Sequence, residues 1–136
     1  MARAEAVSTA SMIGDLDPNI DSFVRHLRAS NLSPRTIETY LEGCRGFSRF
    51  LASQGMPSDV AAIRREHVEA FIEELLLRWR PATAKNRYGA LMAFFNFLTE
   101  EGEIVQSPMA RMRPPKVPEI PAPVLKEDQL RELLEA

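Results

Sequence analysis

The chain has 136 residues, 45% apolar and 26% charged, which is enough for one domain with a real core plus some tail or linker. No apolar run approaches the roughly 20 residues of a membrane span, and the N-terminal stretch has no signal-peptide core. The one cysteine and two distant histidines leave no internal disulfide and no metal-ligand spacing. A net charge of −2 hides basic blocks at 25–49, 78–98 and 111–116, carrying +3, +4 and +3 between acidic segments, and such local fields attract phosphate whatever the total. The expectation is a cytoplasmic protein without a cofactor.

Residues 1–16 lack apolar periodicity and read as a flexible N-terminal arm. Asp17-Pro18 is a helix-start signal, and Ile20, Phe23, Val24 and Leu27 give the first helix one apolar face. Ser33-Pro34 opens the second helix. The Ser33 hydroxyl can cap a free N–H, and Pro34 has no N–H to satisfy. Ile37, Tyr40, Leu41, Cys44, Phe47, Ser48 and Leu51 form its buried stripe, and Gly55 closes it. A short helical turn, "VAAI", begins at Ser58 or Asp59. A third helix runs from Glu66 with Val68, Phe71, Ile72, Leu75 and Leu76 inward, and Trp79 covers the edge of the core. Pro81 and Thr83 start the fourth, with Tyr88, Leu91, Phe94, Phe95 and Leu98 at 3–4 spacing and Gly102 as its stop. No segment alternates like a strand, so the fold is expected to be all-α with four helices in residues 17–102.

Six of the ten prolines fall between Gly102 and Lys126, a density that precludes a packed helix, so 103–123 reads as an extended linker. "KEDQLRELLEA" then begins a fresh amphipathic helix with Leu130, Leu133 and Leu134, read as the start of a further domain over 124–136 or as a helix packed back on the bundle.

On the second helix Arg35, Glu38, Glu42, Arg45 and Arg49 lie opposite the buried stripe, with a seam of Thr36, Thr39, Gly43 and Gly46 between the faces. Two glycines inside a helix are each unfavourable by about 0.8–1 kcal/mol relative to alanine, so something approaches that seam closely, most simply a neighbouring helix. At the N-terminal end the free N–H groups and the dipole favour an anion. The fourth helix repeats the design with Thr83, Lys85, Asn86 and Arg87 in its first turns. Two such openings can grip phosphate, and Arg and Asn suit guanine and adenine edges. Capping plus solvated charge fits the same residues. No carboxylate pair, Gly-rich phosphate loop or nucleophile elbow is present, and Cys44 reads as a core filler.

"NLSPRTIETYLEGCRGFSRFL", then "TAKNRYGALMAFFNFLTEEGEIVQSPMARM", then "RPPKVPEIPAPVLKEDQLRELLEA" resembles the N-terminal part of tyrosine recombinases of the phage-integrase and Xer type, from about Asp17 onward. The resemblance implies a SAM-like four-helix orthogonal bundle, the core-binding domain, which grips duplex DNA opposite a catalytic domain so that the two close as a clamp. Carried over by position, Ser33, Arg35, Thr36 and Tyr40 match the family's phosphate-meeting opening of helix two. Thr83, Lys85, Asn86 and Arg87 match the opening of helix four, and Lys116 matches a basic linker residue near the DNA. The family's tyrosine nucleophile and its arginines, histidine and lysine belong to the domain that begins around Val124. Tyr40 and Tyr88 are therefore not nucleophiles, and the chain as given is expected to bind DNA, with other protomers as partners, and to cut nothing. A helical protein-interaction adaptor is the alternative, and a helix-turn-helix regulator ranks below both.

Overall fold

The computed structural model describes residues 14–118, and there the chain forms four α-helices: α1 (Leu16–Ala29), α2 (Pro34–Gln54), α3 (Arg65–Arg78) and α4 (Pro81–Glu100). A single 3-10 turn, Val60–Ala62, precedes α3, and no strand occurs among the described residues, so the domain is all-α. Residues 1–13 of the expected arm, and residues 119–136 with the expected last helix, lie outside the described residues.

Helix ends follow local chemistry. Ser33 accepts from the Thr36 N–H at 3.2 Å, and Pro34 is the first helical residue of α2. Three helices end with a left-handed residue: Asn31 after α1, Gly55 after α2 and Gly102 after α4, at φ of 59°, 66° and 77°. In each the next residue's N–H reaches back, from Leu32 to Leu27 O, Met56 to Leu51 O and Glu103 to Leu98 O, which satisfies carbonyls left open at the helix end. At α3 the Arg64 N–H donates to Nδ1 of His67 at 2.9 Å, half of a reciprocal cap supplied by an imidazole.

α1 starts at Leu16, ahead of the expected Asp17. Leu16 is buried, and its N–H donates to Ser58 O at 3.0 Å. The Asp15 carboxylate caps nothing on its own helix; it accepts from the Val60 N–H at 2.8 Å and ties the start of α1 to the 3-10 turn. Gly14 has φ of +76°, and a Cβ there would collide with the Ser58 backbone. The expected linker also differs at its start. Ile104 and Met109 are buried in the core, and residues 107–112 turn through Ala110 N–H to Ser107 O and Met112 N–H to Met109 O. Two apolar side chains among the prolines are enough to hold this stretch down.

A lattice of aromatic rings joins the helices. Phe23 of α1 meets Phe94 and Phe97 of α4 with centroids 5.5 and 5.3 Å apart, and Phe47 of α2 meets Phe71 of α3 at 5.3 Å. Such pairs add to the area their rings bury. Of the expected stripe on α2, Ile37, Cys44, Phe47 and Leu51 are buried, while Tyr40 and Leu41 are half-buried. Ser48 is half-buried and donates to the Asp17 carboxylate at 2.8 Å. Leu76 is 43% exposed instead of inward, because Val68, Phe71, Ile72 and Leu75 form the buried face of α3 and Leu76 falls to its side. With Leu77 at 78% and Trp79 at 61% exposure it leaves an apolar edge, so Trp79 does not seal the core.

Candidate nucleic-acid interface

The opening of α2 is built from its own hydroxyls. Ser33 Oγ donates to Thr36 Oγ1 at 2.8 Å while accepting the Thr36 N–H, which leaves the Thr36 hydroxyl hydrogen available to an outside acceptor. Thr39 donates back to Arg35 O at 3.0 Å, a use of threonine internal to the helix. Arg35 is exposed and has no carboxylate within ion-pair distance among the described residues. It borders a shallow depression with Glu38, Thr39 and Glu42. Tyr40 packs its ring 6.1 Å from Phe23, half-buried, so only part of it faces outward.

At the opening of α4, Lys85 and Asn86 are exposed and Thr83 is half-buried. Arg87 is different. Its guanidinium donates to the Glu42 carboxylate of α2 at 2.8 Å, and its side chain is only 20% exposed. That bridge sits where α2 and α4 cross: a Cβ built on Gly43 would stand 2.7 Å from the Ala90 Cβ, with the Arg87 Cδ at 3.6 Å. The visitor to the glycine seam is thus α4. Gly46 admits no such approach, its nearest neighbour being a Phe71 ring atom at 3.7 Å.

Thr36 lies seven residues before Gly43, and Thr83 seven before Ala90. At 1.5 Å per residue, each opening is therefore about 10 Å along its helix from the crossing. Thr83 shares a groove with Gly46, Arg49 and Phe50, on the C-terminal side of Gly43, so along α2 the two openings lie on opposite sides of the crossing. Lys116 is exposed, and no described contact brings it to α2 or α4.

Two features were not singled out from the sequence. Arg64 and Arg65 at the start of α3 share a depression with Arg111 and Ser107. Arg49, Arg78 and Trp79 border a groove that also reaches Thr83 and Arg87. The basic run at 111–116 pointed to Arg111 but not to Arg64 and Arg65, which lie more than 40 residues away in the chain.

Neither shifted titratable group is a candidate for chemistry. Burial pushes the Cys44 thiol up to about 12 and raises the Tyr88 phenol above its ordinary value. The Tyr88 hydroxyl is buried without a hydrogen-bond partner among the described residues. No cluster of metal-binding side chains occurs among the described residues, and no described helix is long and apolar enough to cross a membrane.

A family model described as "Phage integrase, N-terminal SAM-like domain" matches residues 20–102. The chain is 32% identical over 124 residues to tyrosine recombinase XerC of Roseiflexus castenholzii, covering 88% of this chain and 38% of that protein. It is 31% identical over 120 residues to tyrosine recombinase XerD of Shewanella oneidensis, covering 87% and 39%. With XerC of Oceanobacillus iheyensis the identity is 28% over 125 residues, covering 90% and 41%. The chain thus spans about two-fifths of the length of these relatives. No solved structure matches it. The helices α1–α4 fall within or immediately beside the matched residues, and on that match the chain belongs to the phage-integrase N-terminal SAM-like domain family.

Proposed function

We propose that residues 17–102 bind duplex DNA through α2 and α4, as the core-binding module of a site-specific tyrosine recombinase active in DNA integration and recombination. The observation that carries this reading is the crossing itself. Gly43 and Ala90 hold the two helices together, and an opening rich in donors lies on each side of it. Thr36 and Arg35 on one side, and Thr83, Lys85 and Asn86 on the other, suit phosphates flanking a major groove about 12 Å wide. Ser33 supports the first opening as its cap, and Tyr40 backs it with a half-buried ring. Lys116 follows the bundle in a segment that would track the same duplex. Strand cleavage through a 3′-phosphotyrosyl bond would fall to a domain beginning around Val124, and further protomers would assemble on the DNA. The module described here grips and does not cut.

Fluorescence anisotropy of a labelled generic duplex, titrated with the chain at 50 and 200 mM salt, tests the reading. Phosphate-dominated binding weakens steeply between those salts. Undetectable binding at the lower salt would sink it.

The apolar edge of Leu76, Leu77 and Trp79 favours a second reading, a helical adaptor that docks another protein. Sedimentation showing self-association unaffected by DNA, together with a flat anisotropy titration, would favour the adaptor.

A further inference from the structure

We infer that Glu42 is a specificity-determining residue: it holds Arg87 back from the DNA backbone and so lowers affinity for duplex of arbitrary sequence. This rests on the reading that α2 and α4 face DNA. Arg87 is the one candidate DNA-binding side chain that is ion-paired among the described residues, with its guanidinium on the Glu42 carboxylate at 2.8 Å. The exposures are unequal, 20% for the arginine side chain and 59% for the glutamate. The carboxylate is thus the more accessible member of the pair to a duplex on this face.

Glu38 stands one turn before Glu42 and borders the same depression as Arg35, so the outward side next to the crossing carries two carboxylates between the basic openings. A phosphate brought there is repelled by like charge and finds Arg87 already engaged in a short charge-assisted bond. A base edge is treated differently. A carboxylate can accept from cytosine N4, and a guanidinium donates to guanine O6 and N7. The pair therefore opens without loss only where base edges supply both partners, whereas an arbitrary backbone supplies one. Phosphate binding is left to Arg35 and Lys85, and neither has an ion-pair partner among the described residues.

The test is Glu42→Gln, which keeps the side chain's shape and removes its charge, measured by anisotropy on a generic duplex at 50 and 200 mM salt. The control is Glu73→Gln, an exposed carboxylate of α3 that forms no ion pair among the described residues. We expect Glu42→Gln to bind the generic duplex about 3- to 10-fold more tightly at 50 mM, with the log–log salt slope steeper by about 0.9, as for one added phosphate contact. Glu73→Gln should change binding less than twofold. Adding Arg87→Ala to Glu42→Gln should abolish the gain, the signature of coupling in a double-mutant cycle. Equal tightening by both glutamine variants would overturn the inference in favour of a bulk charge effect. A gain that survives Arg87→Ala would overturn it too, because Glu42 would then act without Arg87. If the wild-type chain binds with salt dependence and Glu42→Gln matches it, the inference fails alone; if no variant binds, the DNA reading fails with it.

Discussion

Gly43 of α2 and Ala90 of α4 approach so closely that a Cβ on residue 43 would lie 2.7 Å from the Ala90 Cβ. Alanine at 43 gains about 1 kcal/mol of helix propensity and forces apart the interface that positions both candidate openings. Overpacking of this kind costs about 1–3 kcal/mol, so Gly43→Ala is expected to be net destabilising. Gly89, exposed on the same helix with nothing within 4 Å of a built Cβ, is the contrast. Gly89→Ala should stabilise by about 0.5–1 kcal/mol. Urea midpoints of the two variants, displaced in opposite directions, check the geometry of the crossing.

Tyr88 buries a hydroxyl that no described group satisfies. Removing it while keeping the ring leaves the packing intact and relieves the desolvation of an unpaired donor, a term of about 1–3 kcal/mol. Tyr88→Phe should therefore raise stability at neutral pH by about 1 kcal/mol. A fall of that size in the urea midpoint would show that the hydroxyl has a partner after all.

Alkaline titration should expose the same burial. The folded thiol of Cys44 ionises near 12 against an ordinary 9.0, and the Tyr88 phenol is raised above its ordinary 10.0, both by burial. Between those limits the unfolded chain has released a proton that the folded chain still holds, so stability falls as pH rises. The contribution is complete below pH 9.0 and is lost from there towards pH 12, at up to about 1.4 kcal/mol per pH unit for each group. Urea melts at a series of pH values should show the decline, and Cys44→Ala should remove the part that begins at the lower pH. The native thiol should also resist an aromatic disulfide reagent until the domain unfolds.

Arg35 and Lys85 are the exposed cations of the two openings that form no ion pair among the described residues. Arg35→Ala and Lys85→Ala should each weaken generic duplex binding by about 1–3 kcal/mol and lower the salt slope by about 1. Arg87→Ala should do less on the same duplex, because its guanidinium is held by Glu42. Arg35 and Lys85 variants that both bind as wild type would remove both openings from the interface.

The elements were legible where the signal is local. Ser33-Pro34, Pro81, Gly55 and Gly102 mark helix ends through hydrogen bonds and φ angles that span only a few residues, and the structure uses each of them. What sequence could not supply lies in partners distant along the chain. Asp15 spends its carboxylate on Val60, 45 residues away, so the start of α1 differs from the one that Asp17-Pro18 suggested. Periodicity turned Leu76 inward, but nothing local says how narrow the buried face of α3 is there. Ile104 and Met109 looked like exceptions in a proline run, and only the assembled bundle offers them a place. At the candidate interface the residue types were visible and the pairing was not: Glu42 and Arg87 are also 45 positions apart.

The burial of Ile104 and Met109 also fixes a length. If the chain left the bundle at Gly102, the linker expected over 103–123 could reach about 70 Å when extended. Held to the bundle through Met112, it could reach at most about 35 Å over residues 113–123. A shorter leash confines whatever follows to a smaller volume beside the bundle. It thereby raises the effective concentration of that following segment at any duplex the bundle holds.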